Sequence, residues 1–245
     1  MEEIMKLNFI GVDPSNAYDY YLGLFGYGQR KSRRPIIPYH REFTAAEKEF
    51  FMNSSPEIAK QSDLYKEIAN SKECAQYTSQ YGDLCKKQIA IQENWNKQKT
   101  KINDFIINKL KLNDLEMPPV DVVISIVPGS YSRDPNEKFI RWGHPKSEQD
   151  PFYDGRYLFH EWFHAVEDKF DLPNLEQSHA LLELADTYLY EKVLGGKNNY
   201  GEGHPELAEL REKIKPYFNE FLSGKGTPKN FLELREQMIE KFPIS

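Results

Sequence analysis

The chain carries an HEWFH pentapeptide in which His160 and His164 lie four residues apart and Glu161 follows the first histidine. On an α-helix, residues i and i+4 lie on one face, so both imidazoles can point at one metal ion. Glu161 lies about 100° further round the helix, where it can accept a proton without binding the ion. Two histidine ligands with an adjacent general base are typical of zinc-dependent hydrolysis. The pattern therefore predicts a catalytic Zn²⁺ site.

The residues around the pentapeptide predict a helix that is long enough to hold this site. A helix over about 156–169 would bury a set of apolar side chains: Leu158, Phe159, Trp162, Phe163 and Val166. Two predicted strands precede it, in VDVVISIVPG and EKFIRWG, and either 122–127 or 138–142 could offer an edge to an extended peptide. The alternative is that His160 and His164 are ordinary helix residues, one buried and one exposed.

A third ligand is expected from the next predicted helix, about 175–194. Glu183 follows His164 after eighteen residues, and the turn at DLPN allows the second helix to fold back over the first. His179 lies one helical turn before Glu183 and is a rival, either as a further ligand, as an outer partner or as an exposed side chain. Three nearby acids are interpreted as solvated charges: Glu167, Asp168 and Glu176.

The pattern H160-E-W-F-H164-x18-E183 resembles that of the gluzincin metallopeptidases, the thermolysin-like clan, over roughly 120–194. The resemblance implies a zincin-like catalytic region with His160, His164 and Glu183 as zinc ligands. It also implies that Glu161 activates the attacking water. The spacing matches the aminopeptidase branch, but the Gly-rich exopeptidase motif of that branch is absent from the sequence, so aminopeptidase activity does not follow.

Two further roles implied by the resemblance have no clear match in the sequence. Many clan members carry an acid four residues after the ligand glutamate, and here that position is Thr187, with Asp186 one residue earlier. The clan also uses a downstream Tyr or His to stabilise the oxyanion. The candidates for that role are Tyr188, Tyr190, Tyr200, His204 and Tyr217. Tyr131 and Arg133, between the two strands, are candidates for substrate contact.

The predicted elements give an α+β fold that is mostly helical, with a small β-sheet packed on the HExxH helix. Thr44 begins a capping-box pattern, one helix is predicted at about 57–69, and the last helix is predicted to start at Pro228 with Thr227 as its N-cap. Pro118 and Pro119 suggest a boundary. We expect a mainly helical region at 1–117, which could be a lid, a prosegment or a substrate-binding part, and a metallopeptidase region at 118–245.

Composition narrows the classes of partner. The 245 residues have a net charge of −6 with scattered basic residues, which argues against nucleic acid as the main partner. Neither a membrane-spanning stretch nor a secretory signal is evident, so we expect no membrane partner and a cytoplasmic location, with a mature secreted form as the alternative. Cys74 and Cys85 are expected to be free thiols, although a turn between them could permit a disulfide.

Three functions remain open from the sequence. The leading one is a zinc metallopeptidase acting on peptide or protein substrates. The second is a non-catalytic gluzincin-like module that binds a partner and keeps a structural zinc. The third is a zinc hydrolase of non-peptide amides. The intact Glu161 favours catalysis over the second, because a binding module needs no general base.

Overall fold

A computed structural model describes residues 3–12, 17–25, 39–79, 81–124, 131, 138–142, 150–197 and 203–243. These residues form a mostly helical α+β fold with one small sheet, as predicted. The helices, in chain order, are α1 Ala17–Leu24, α2 Ala45–Asn53, α3 Pro56–Gln61, α4 Asp63–Ala69, α5 Lys72–Thr78, α6 Tyr81–Asn108, α7 Pro151–Lys169, α8 Glu176–Tyr188, α9 Ala208–Leu222 and α10 Phe231–Lys241. A π-helical turn, Leu189–Leu194, extends α8, and a 3₁₀ turn, Pro205–Leu207, leads into α9.

The sheet has three parallel strands: β1 Leu7–Val12, β2 Val120–Ile124 and β3 Phe139–Trp142. The strand predictions in VDVVISIVPG and EKFIRWG are confirmed within the described residues. Parallel pairing of β2 with β3 requires a crossover rather than a tight turn between them. In that link only Tyr131 is described, and it forms an isolated antiparallel bridge with Ile140 of β3.

The strand order corrects one sequence interpretation. β2 lies between β1 and β3, so both of its edges are already paired and the described part of 122–127, residues 122–124, cannot offer a free edge to a peptide; residues 125–127 lie outside the described residues. β3 is an edge strand of the described sheet, and only the alternative at 138–142 remains. The outer side of β3 is partly used by the bridge from Tyr131.

Residues from the predicted N-terminal region join the same structure as the histidine motif. β1 is hydrogen-bonded to β2, and the backbone N–H groups of Ile4 and Met5 donate to Asn103 Oδ1 on α6 at 2.7 and 2.9 Å. α6 in turn lies against α7, which carries the motif. A lid or prosegment role for 1–117, and the division at 117/118, stay predictions.

Side-chain caps mark several helix ends, and two of these ends differ from the predicted ones. The Thr44 capping box is confirmed, with Glu47 as its partner. The predicted helix at 57–69 is two helices, because the Ser62 hydroxyl accepts the Tyr65 N–H and starts α4. The last helix does not start at Pro228. It starts at Phe231, since the Asn230 side chain accepts the N–H of Glu233.

Gly155 allows α7 to approach α6 closely. A Cβ atom at Gly155 would lie 2.3 Å from Gln98 Oε1 and 3.1 Å from both Ile102 Cδ1 and Leu194 Cδ1. We expect Gly155→Val to lower the free energy of unfolding by roughly 1–3 kcal/mol through overpacking, measured by urea denaturation without metal. Ala90→Val, on an exposed face of α6, is the control for adding a β-branched residue and should cost under about 1 kcal/mol. Equal losses would mean that the close approach has no energetic consequence.

Candidate metal centre

α7 is buried for most of its length, which places the motif inside the protein. Asp150 caps it by accepting the Phe152 N–H, and Pro151 occupies the first turn. All five apolar side chains predicted to bury this helix are buried. His160, Glu161 and His164 are buried with them. The motif therefore lies in a low-dielectric setting where each polar group needs a partner.

Three imidazoles meet where α8 folds back beside α7. The ring centroids of His160 and His164 are 5.0 Å apart, those of His160 and His179 are 5.0 Å apart, and those of His164 and His179 are 5.1 Å apart. One potential ligand atom from each ring lies within 4.8 Å of the other two. The rings thus form a nearly equilateral triangle, and its third corner is the residue that was a rival to Glu183 in the sequence.

His160 is oriented by a carboxylate from α8. Its Nδ1 lies 2.8 Å from Asp186 Oδ2, and Asp186 Oδ1 accepts Arg156 Nε at 2.8 Å. Burial raises the pKa of Asp186, but the charge of Arg156 and the contact with His160 outweigh it and lower that pKa below its ordinary value. Asp186 is thus a carboxylate that occupies Nδ1 of His160 and leaves Nε2 available as a ligand.

His164 is oriented in the same way from its own helix. Its Nδ1 lies 2.9 Å from Glu167 Oε2, while Glu167 Oε1 accepts the Ser178 hydroxyl and lies 3.5 Å from Arg235 Nε. The interpretation of Glu167 as a solvated charge is wrong, since only 1% of it is exposed. Its spacing of three residues after His164 was the available signal. Burial raises the pKa of Glu167, but the hydrogen bonds from His164 and Ser178 lower it overall.

His179 offers a nitrogen that is buried and without a hydrogen bond. Its Nε2 bonds to no described residue, and Glu183 Oε1 lies 3.6 Å away, beyond hydrogen-bond length. Burial, followed by the neighbouring His160, His164 and His204, lowers the pKa of His179 to about 3. His179 is therefore a neutral imidazole, which is the form that binds metal ions.

Glu183, the predicted third ligand, has its carboxylate among other partners. Oε2 accepts Arg211 Nη1 at 2.5 Å, and Oε1 accepts the backbone N–H of His204 at 2.7 Å and lies beside Nδ1 of that ring. Gly203 permits this contact: it has φ +85°, and a Cβ there would lie 2.2 Å from the carboxylate carbon of Glu183. Glu183 thus joins a second group, with His179 and His204, and not the triangle. Its role as a ligand stays a prediction.

Glu161, the predicted general base, is buried beside the triangle. Its Oε2 accepts the backbone N–H of Tyr131 at 2.6 Å. The hydroxyl of Tyr157, one turn earlier on α7, faces this carboxylate, and burial, followed by the charge of Glu161 and hydrogen bonding with it, raises the pKa of that hydroxyl well above its ordinary value. Tyr157 is itself held by stacking on Trp142 of β3, with ring centroids 3.9 Å apart. The carboxylate is therefore fixed in direction from two sides.

The triangle fits a zinc ion better than the second group does. Zinc–nitrogen bonds of about 2.0–2.1 Å in a tetrahedron place ligand atoms about 3.3 Å apart, so the 4.8 Å limit requires only small side-chain movements. An ion there would also satisfy the orphaned nitrogen of His179. In the second group, Glu183 is already paired with the Arg211 guanidinium, a positive charge that opposes a cation at the same oxygen pair.

Among the four candidates for oxyanion stabilisation that the structure describes, one lies at the histidine cluster. The His204 ring centroid is 4.8 Å from that of His179. Tyr188 stacks on Phe105, and the buried hydroxyl of Tyr190 donates to Asp150. Tyr217 packs against Phe242. Tyr200, like the substrate-contact candidate Arg133, lies outside the described residues.

Comparisons with known proteins leave the centre to be judged on its own geometry. No family model, curated protein or solved structure matches this chain. In the described part of the chain, no helix is both long enough and apolar enough to cross a membrane. Cys74 and Cys85 are free thiols, as expected.

Proposed function

We propose that this chain is a zinc-dependent metallopeptidase with a zincin-like catalytic region, in which His160, His164 and His179 hold the ion and Glu161 is the general base. The observation that carries the proposal is the triangle of three imidazoles with nearly equal spacings beside a buried glutamate. Three protein ligands with one open position are the arrangement of catalytic rather than structural zinc.

The protein side chains would divide the work of hydrolysis between binding and proton transfer. A bound zinc ion supplies a Lewis acid for a carbonyl oxygen and lowers the pKa of a water molecule. We assign proton transfer to the Glu161 carboxylate, of which Oε2 already accepts the Tyr131 N–H. It would take a proton from the attacking water and pass it to the leaving amine. The Tyr157 hydroxyl would hold the carboxylate in place during both transfers.

His204 is the residue we assign to stabilising the developing oxyanion. Its Nδ1 is held by Glu183, which leaves Nε2 as the nitrogen that can face a substrate. Its side chain is 54% exposed, so a substrate can reach it without displacing core residues. A donor placed before the reaction is worth more than one that must reorganise during it.

A non-catalytic metal-binding module is the alternative that one observation favours. Both donors at Glu161, the Tyr131 N–H and the Tyr157 hydroxyl, engage the group that must act as the base. A glutamate kept only for structure would have the same contacts. The two functions differ in turnover and not in metal content.

Metal content and peptide cleavage test the proposal together. The full chain, purified without a His tag, should contain about one zinc per chain by elemental mass spectrometry, and His164→Ala should contain clearly less. The zinc-loaded chain should also cleave members of a peptide library followed by mass spectrometry. Zinc without cleavage would favour the binding module, and a wild type that takes up no zinc when it is offered would overturn both readings.

A further inference from the structure

We propose that Arg235, on the C-terminal helix α10, is a positioning residue of the metal centre and acts on His164 through Glu167. This inference rests on the proposed zinc site but not on peptidase activity. Arg235 lies seventy-one residues after His164, in a part of the chain that the resemblance does not cover. The inference rests on buried charges, which apolar packing by itself does not require.

The guanidinium of Arg235 is as buried as an apolar core residue, with 1% of the residue exposed. Its Nε donates to Ser178 Oγ at 2.8 Å and lies 3.5 Å from Glu167 Oε1, and Ser178 in turn donates to the same Glu167 oxygen. Burying a charge is costly unless it is paired and hydrogen-bonded. Two of its nitrogens donate to Glu236 Oε1, at 2.6 Å, and to the Pro173 carbonyl oxygen, and its Nε faces the carboxylate whose other oxygen contacts His164 Nδ1 at 2.9 Å.

A similar arrangement, with a direct hydrogen bond from the arginine, occurs independently at His160, the other histidine of the motif. Arg156 Nε donates to Asp186 Oδ1, and Asp186 Oδ2 contacts His160 Nδ1, each at 2.8 Å. In both cases one carboxylate oxygen faces the imidazole and the other faces a buried guanidinium. The two arginines come from different helices, α7 and α10, so local sequence does not impose the repetition. A shared demand at the two histidines explains it.

Each of the two histidines would need a fixed ring orientation that leaves its Nε2 available for the ion. A carboxylate with a single partner can rotate about its terminal bond, whereas one anchored at both oxygens cannot do so without breaking a buried interaction. The Arg235–Glu167 pair therefore fixes the ring plane of His164. Removing the outer partner of a ligand histidine typically lowers metal affinity by about 10–100-fold.

The test measures zinc binding by competition with a chromophoric chelator, together with the visible spectrum of the Co²⁺-loaded chain, which reports ligand geometry. Arg235→Met should raise the zinc Kd by about tenfold or more and alter the Co²⁺ bands, and Arg235→Lys should recover part of the affinity. Two controls on the same helix should leave the Kd within about threefold: Met238→Ala, which loosens buried apolar packing, and Glu236→Gln, which removes the outward partner of Arg235.

A double variant covers the case in which Arg235→Met does not fold because the buried Glu167 carboxylate loses the facing guanidinium charge. Arg235→Met with Glu167→Gln removes both buried charges, so it should fold; because Arg235 acts through Glu167, it should bind zinc about tenfold more weakly than wild type and within about threefold of Glu167→Gln alone. Wild-type affinity in that variant, or an equal loss in Met238→Ala, would overturn the role of Arg235 while leaving the zinc site intact. A wild type that binds no zinc would instead overturn the proposed function, and this inference with it.

Discussion

Glu161→Gln should abolish most peptide hydrolysis while leaving the zinc content near one ion per chain. Glutamine is uncharged and cannot take a proton from the attacking water, and a positioned general base contributes about 10²–10⁴-fold to rate. Its amide oxygen can still accept the Tyr131 N–H, and its NH₂ group can donate to the Tyr157 hydroxyl, so the local hydrogen bonds survive. We expect turnover to fall by at least about 100-fold, measured on the best peptide from the library.

The matched control for this prediction is Glu176→Gln, the same substitution at an exposed acid in the first turn of α8. It should keep both wild-type turnover and wild-type zinc. If Glu161→Gln keeps more than half of the turnover, Glu161 is not the base, and its two hydrogen bonds are structural. If the variant loses zinc as well as turnover, Glu161 supports the site rather than the proton transfer.

The HExxH helix could be predicted because two independent signals agree along it. Its apolar residues follow helical periodicity, and its polar residues follow ligand spacing, so the same segment satisfies both packing and chemistry. The central strand β2 could also be predicted, because four of its five residues are β-branched. Elements such as α7 and β2, whose structure follows from a local pattern, could therefore be predicted from the sequence.

The buried arginines that face the acids Glu183 and Glu167 could not be predicted, because their positions arise from tertiary contacts. Arg211 and Arg235 come from helices that follow the motif by dozens of residues, and nothing near them indicates burial beside Glu183 and Glu167. A charged residue on an amphipathic helix is ordinarily exposed, so a sequence rule assigns Glu167 to solvent. The rule fails here because a second buried charge compensates the first.

Tertiary contacts also decide which of His179 and Glu183 lies beside the two motif histidines. The two residues are one turn apart on α8, so either can face α7 once the hairpin forms. The contact between Arg211 and Glu183 biases that choice, since it holds the carboxylate away from the triangle and leaves His179 beside the two motif histidines. Periodicity predicts which face of α8 meets α7. The contact from Arg211 on α9, which holds Glu183 away from the two motif histidines, is tertiary and leaves no local pattern.

Loss of the Glu183 side chain should cost more stability than loss of the His179 side chain, whereas His179 should matter more for metal binding. Glu183→Ala leaves the buried Arg211 guanidinium with the His204 carbonyl oxygen as its remaining acceptor among the described residues. Breaking a buried pair in this way typically costs about 3–5 kcal/mol. His179→Ala removes an imidazole whose Nε2 makes no hydrogen bond, so the unfolding free energy without metal should fall by no more than about 1 kcal/mol. Urea denaturation in a chelator measures both.

Zinc affinity should change in the reverse order. His179→Ala removes a ligand and should raise the zinc Kd by more than roughly 100-fold, whereas Glu183→Gln, which keeps the size of the side chain and an acceptor for the His204 N–H, should raise it by no more than the 10–100-fold typical of an outer partner. The stronger loss in Glu183→Gln would restore Glu183 as the third ligand and make the Arg211 contact one that the metal displaces. Changes at Glu183 should cost more stability, and changes at His179 should cost more zinc affinity. General loosening of α8 would lower both quantities together and cannot imitate this result.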